Sequence, residues 1–100
     1  MKRLYANLGD TVDVEWSFFD LEITDDTFRD TYLRVDVGDR LSLNNTTGGI
    51  RVDPICGLAK ATIETSSLRY SAYDIRISVS YADGVTKRTT THKLVVNKVT

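Results

Sequence analysis

His92 and Cys56 are the only histidine and the only cysteine in the sequence. Near neutral pH these are the side chains best suited to proton transfer and nucleophilic attack. A general base needs a positioned partner, but His92 stands in Thr89-Thr90-Thr91-His92-Lys93, the setting of an exposed strand residue. A reactive thiol needs an electropositive surrounding and a nearby base. Cys56 lies in Asp53-Pro54-Ile55-Cys56-Gly57-Leu58, which fits a small apolar residue in or near a core. One thiol makes neither an internal disulfide nor a thiolate zinc site. Carboxylates crowd one stretch, at Asp20, Glu22, Asp25, Asp26 and Asp30. Calcium demands about six to eight converging oxygens, and the spacing lacks the glycine and terminal glutamate of an EF-hand loop. The stretch reads as a solvated acidic loop. No Gly-rich phosphate loop, no Gly-x-Ser-x-Gly and no paired Cys-x-x-Cys occurs. These residues imply no catalytic centre, no metal and no cofactor.

Composition sets the frame in which those residues sit. The chain has 100 residues, 41% hydrophobic and 27% charged, with a formal net charge of −1. That is the composition of one globular domain. A net charge near zero argues against nucleic acid as a partner. Lys87, Arg88, Lys93 and Lys98 are not interleaved with the aromatics a single-strand binder uses. No apolar run approaches the roughly 18 residues that span a bilayer, so no membrane partner is expected. Residues Met1 to Asp10 lack the apolar segment of a secretory signal. The overlapping Asn44-Asn45-Thr46 and Asn45-Thr46-Thr47 sequons therefore carry no consequence. Residues 1–50 carry a net −5 and residues 51–100 a net +4. Either the strands mix the two halves, or the domain is dipolar, with faces that select neighbours by charge.

Thr, Val and Ile number 13, 10 and 6, against only 5 Ala and 3 Glu. β-branched side chains are stiff at χ1 and suit a pleated surface, so strands are expected throughout. Thr11 to Phe19 alternates Val12, Val14, Trp16 and Phe18 with Asp13, Glu15 and Ser17, one buried face and one wet face. Arg3 to Ala6 is a short edge strand preceding it, and Leu21 to Thr24 a further short strand. Residues 25–30 form a loop or one helical turn. Thr31 to Val37, Leu41 and Leu43, Ile50 and Val52, and Leu58 to Glu64 continue the series. Pro54 stops one strand because it cannot donate to a ladder. Thr65 to Ala72 is a connection anchored by Leu68 and Tyr70. Tyr73 to Tyr81 alternates most cleanly, and Ala82-Asp83-Gly84 turns it into a return arm, Val85 to Thr91 and Lys93 to Val96, with a bulge near Thr89 to His92. Short strands with turns every 8–12 residues predict an all-β sandwich of about seven to eight strands, with a small closed barrel as the alternative. Trp16 and Ile75, each mid-strand on an apolar face, are expected to face one another across the core.

The pattern Ala61-Thr62-Ile63-Glu64, Leu68, Ala72-Tyr73-Asp74-Ile75-Arg76-Ile77, Tyr81-Ala82-Asp83-Gly84 and Leu94-Val95-Val96 resembles small immunoglobulin-like domains of tailed-bacteriophage virions. Such domains occur at the N-terminus of baseplate upper proteins and in head-fibre and capsid-decoration proteins. Gly9-Asp10-Thr11-Val12 matches their early strand. The likeness covers residues 9–19 and 58–97. Ala72 stands where the family has glycine, and the family's loop after the first hairpin is missing. Tyr73, five residues after Leu68, also resembles the tyrosine corner of immunoglobulin sandwiches.

The resemblance implies an immunoglobulin-like antiparallel sandwich and a non-catalytic structural protein of a phage particle. Its partners would be the major capsid protein or tail and baseplate proteins, and self-association stays open. It would assemble in the host bacterial cytoplasm, where a free cysteine survives. The alternative is an immunoglobulin-like module that binds a carbohydrate or receptor through exposed loop aromatics, with Phe28, Tyr32 and Tyr70 as candidates. For the docking reading, the strand-like termini are the expected contacts: Arg3 and Tyr5 at one end, Val95, Val96 and Val99 at the other, with an unpaired terminal strand open to β-augmentation.

Overall fold

Alternation at period two resolves into eight strands in the computed structural model, which describes residues 2–24 and 26–98. They are β1 (Lys2–Asn7), β2 (Thr11–Ser17), β3 (Tyr32–Val37), β4 (Leu41–Asn44), β5 (Ile50–Asp53), β6 (Leu58–Glu64), β7 (Ser71–Ser80) and β8 (Thr86–Asn97). One sheet has the order β1-β8-β7-β3-β4 and the other the order β2-β6-β5. Neighbours run antiparallel except β1, which lies parallel to β8. The domain is an immunoglobulin-like β-sandwich. Asp25 of the acidic stretch and Val99 of the expected C-terminal contact lie outside the described residues.

The core is filled from the inner face of each sheet. Val14 and Trp16 of β2 and Ala59, Ala61 and Ile63 of β6 meet Leu33, Val35, Val37, Ile75, Ile77, Val79, Leu94 and Val96 from the larger sheet, all buried. Size is matched locally, since Trp16 pairs with Ala59 and Val14 with Ala61. The small partner leaves room for the large one, as close packing requires. The Trp16 indole reaches β8 at Thr91 and at His92, the residue paired with Ile75 in the ladder.

Three devices foreseen from sequence are present. Tyr73 forms a tyrosine corner: its hydroxyl donates to the Arg69 carbonyl at 3.0 Å and accepts from the Arg69 N–H at 2.9 Å. The β7–β8 hairpin turns at Gly84, whose φ of +89° suits a residue without a Cβ. The ladder then slips between Ile75 and Arg76, whose partners are His92 and Thr90. Thr91 is the extra residue of that bulge.

Other expectations need correction. Leu21 to Thr24 is not a strand. The Leu21 N–H bonds the Ser17 carbonyl and the Ile23 N–H the Phe18 carbonyl, so the chain doubles back and drives Leu21 and Ile23 into the end of the core. Their i, i+2 spacing imitates a strand, but turn bonds take the backbone donors. The N-terminal edge strand exists, yet it pairs with β8 rather than β2. Tyr70 is 54% exposed and anchors nothing; Leu68 and Tyr73 hold that connection. The C-terminal strand is not an unpaired edge, because His92 to Val96 lies between β1 and β7. Finally, β1, β3 and β4 interleave with β7 and β8 in one sheet, so the charge difference between the chain's halves does not become two opposed faces.

Candidate functional site

The three sequence candidates for chemistry are far apart in role. His92 is half-buried rather than exposed, edge-on to Trp16 with ring centroids 5.7 Å apart. The Thr91 hydroxyl accepts the Trp16 indole N–H at 3.0 Å and sits 2.7 Å from Nδ1 of His92. A hydroxyl has one proton to give and two lone pairs, so beside the indole N–H it either donates to Nδ1 or accepts from it, according to the tautomer of the ring. Burial, with the Lys2 charge, pushes the His92 pKa below its ordinary value. This is a packed histidine held neutral against the core.

Cys56 is exposed, not in the core. The β5–β6 turn puts it there because the Asp53 carboxylate accepts the N–H groups of both Ile55 and Cys56 at 3.1 Å. Those bonds, first the one from the Cys56 backbone, hold the Asp53 carboxyl below its usual range. The carboxylate in turn lies against the thiol and pushes its pKa up, by hydrogen bonding and then by charge. A thiol kept protonated is the reverse of an activated nucleophile. Among the described residues no group of three or more His, Cys, Asp or Glu side chains could hold a metal ion, and Glu22 is engaged in an ion pair with Lys87.

Of the expected docking residues, the structure brings three together. Arg3 and Tyr5 of β1 and Val95 of β8 share the outer face of the larger sheet, with Tyr5 beside Val95 in register and Tyr5 65% exposed. Val96 points the other way and is buried in the core, so its side chain is not offered to a neighbour. A cleft of about 560 Å³ opens at the seam between β2 and β8, lined by Trp16, Ile77, Val79, Tyr81 and His92 and bridged by Glu22 and Lys87. Its apolar floor is core, with Trp16, Ile77 and Val79 all buried.

Sequence reasoning missed the two most exposed large apolar side chains, Phe19 and Ile55, at 89% and 96%. Both lie at the end of the sandwich where β2, β5 and β7 finish. The signal for Phe19 was available. In a strand read from Thr11 to Phe19, the inward parity of Val12, Val14, Trp16 and Phe18 predicts an outward Phe19, although β2 itself ends at Ser17 and the turn bonds beyond it set the final direction. Of the loop aromatics considered, Phe28 is instead half-buried and stacked on Phe18 at 6.0 Å, while Tyr32 is 40% exposed.

No protein-family model and no curated protein matches the chain. Among solved structures, an endo-β-1,4-mannanase from Thermotoga petrophila is similar over 94% of this chain, with a TM-score of 0.59 and 17% identity. The chain spans 18% of the length of that protein. At this identity the likeness is one of fold.

Proposed function

We propose that the protein is a non-catalytic structural protein of a bacteriophage particle, docking on the capsid exterior as a decoration protein or on the tail or baseplate. One observation carries this reading. The segments with the phage-domain pattern, residues 9–19 and 58–97, form the frame of the sandwich: β2, β6, the tyrosine corner at Tyr73 and the Gly84 hairpin. The match is therefore to the parts that fix the fold. A sandwich hosts many functions, so the virion assignment rests on that pattern and not on the architecture. The packed, neutral His92 and the protonated Cys56 favour docking over catalysis.

Gold-labelled antibody against the chain, applied to particles purified from cells that produce it, tests the assignment. Label on capsids or tails is the expected result. Label only in the particle-free fraction overturns it. A second reading has one observation in its favour: Phe19, Tyr32 and Tyr70 are exposed aromatics of the kind that stack on sugars. A glycan array on which the particle-free protein binds, with loss in Phe19→Ala or Tyr70→Ala, would support that module reading instead.

A further inference from the structure

Phe18 and Phe19 are adjacent in sequence and opposite in fate. Phe18 is buried and stacked on Phe28, while Phe19 is 89% exposed. The loop that holds Phe19 out is not loose. The Asp20 N–H bonds the Ser17 hydroxyl at 3.1 Å, and the Glu22 N–H bonds the Phe19 carbonyl at 3.2 Å. Leu21 and Ile23 pin the following chain in the core. Ile55, 96% exposed, is held the same way by the Asp53 carboxylate on its N–H. The two loops are tied together, since the Phe18 N–H donates to the Gly57 carbonyl at 2.8 Å. The same end is acidic: Asp20, Glu22, Asp26, Asp30, Asp53 and Asp83 stand against Arg29 and Lys87, and Lys87 is taken by Glu22.

We infer that this loop end, with Phe19 and Ile55 as anchors, is a docking surface whose occupant is a protein carrying an apolar pocket with a lysine- and arginine-rich rim. Apolar side chains carried on a backbone already held by such bonds require no ordering of the loop on burial, so they suit the role of anchors. The acidic surround repels an anionic lipid surface and complements a basic rim. The inference rests on the docking half of the function proposed above, and not on the particle's being a virion. It also moves the expected contact from the termini to the opposite end of the strands.

The test needs no particle. The 15N-labelled protein is titrated with the synthetic peptide Lys-Lys-Leu-Trp-Leu-Lys-Lys, with its glutamate counterpart, and with phosphatidylglycerol–phosphatidylcholine vesicles. Amide shifts confined to residues 18–23 and 55–57, at least fivefold tighter for the cationic peptide, are expected. The double variant Phe19→Ser, Ile55→Ser should keep the amide spectrum of the folded domain elsewhere and lose the response. Shifts at other surfaces, equal response to both peptides, an unchanged response in the double variant, or vesicle binding would each overturn the proposal. Antibody labelling decides the virion assignment separately, so failure of one is distinct from failure of the other.

Discussion

The Trp16 indole on β2 donates its N–H to the Thr91 hydroxyl on β8 at 3.0 Å, joining the two sheets at the residue that bulges out of the β7–β8 register. A regular ladder would alternate Thr91 away from His92. The extra residue re-aims it, as bulges do, so one hydroxyl serves both the indole and the imidazole. The bulge is thus the means by which the buried indole N–H is satisfied.

Thr91→Val keeps the shape and removes the acceptor. A buried donor left without a partner costs about 1–3 kcal/mol, so urea denaturation followed by Trp16 fluorescence should show a lower midpoint by that amount. Trp16→Ala should cost about 3–5 kcal/mol as a core truncation. A Thr91→Val midpoint equal to the parent would mean that the indole finds another acceptor.

Burial of His92 gives stability a pH dependence with a definite sign. Its folded pKa lies below its unfolded value, which is about 6.5. The unfolded chain therefore binds the proton more readily, and stability rises with pH. The contribution is fully present above pH of about 6.5 and is lost as the pH falls through that value toward the lower folded pKa. Thermal midpoints measured at pH 7.5 and 5.5 should differ less in His92→Phe than in the parent. Equal differences would show that carboxylates carry the whole slope.

Gly84→Val should destabilise the hairpin although a Cβ there meets nothing within 4 Å. The cost is purely conformational, because φ is +89° and a β-branched residue resists positive φ. It should amount to about 1–2 kcal/mol, and Gly84→Asn should cost less, since asparagine tolerates this region. Similar losses for the two variants would point to a cause other than φ.

Much of this fold was legible because burial follows parity. Val12 to Phe18, Leu33 to Val37 and Tyr73 to Val79 announce their inner faces, and even the bulge near Thr91 shows as a break in the return arm. What stayed hidden depends on partners distant in sequence. Nothing in Lys2 to Asn7 says that β8, some ninety residues on, and not the adjacent β2, is its neighbour. Leu21 and Ile23 look like a strand until the Ser17 and Phe18 carbonyls claim their N–H groups. The threonine neighbours of His92 predict an exposed ring, while its environment is set by Trp16 across the sandwich. The local sequence of Cys56 predicts a small apolar core residue, while its exposure depends on the Asp53 turn. Phe19 was legible in part: the parity of Val12 to Phe18 points it outward, while the turn bonds after Ser17 hold it there.

Tyr73→Phe isolates the tyrosine corner. The ring stays in place, but the Arg69 N–H and carbonyl both lose the hydroxyl that bridges them. The site is partly buried, so water compensates only in part, and a loss of about 1–3 kcal/mol is expected. Gly38 offers a control on the same ring. A Cβ there would come within 2.9 Å of Tyr73 Cδ1, at a φ of +54°, so Gly38→Ala should destabilise by displacing the ring, with both hydroxyl bonds still chemically available. If Tyr73→Phe leaves the denaturation midpoint unchanged, the corner is geometry without energetic weight.

Cys56 provides the last test, because exposure and reactivity should part company. The thiol is open to solvent, so access does not limit its modification. Thiolate is the reactive species, and the Asp53 carboxylate raises the thiol pKa by hydrogen bonding and by charge. Reaction with iodoacetamide at pH 8 should therefore be slower than for a cysteine in an unstructured peptide. Removing the charge in Asp53→Asn lowers the thiol pKa toward its ordinary value, while the amide oxygen still accepts the N–H groups of Ile55 and Cys56. The alkylation rate at pH 8 should rise, and the midpoint of its pH profile should move down. At a pH well above both thiol pKa values the parent and variant rates should converge, since each thiol is then fully ionised. A variant that reacts no faster at pH 8 would show that Asp53 holds the turn without controlling the thiol. A rate difference that persists at high pH would assign the effect to access, with the loop rather than the charge as its cause.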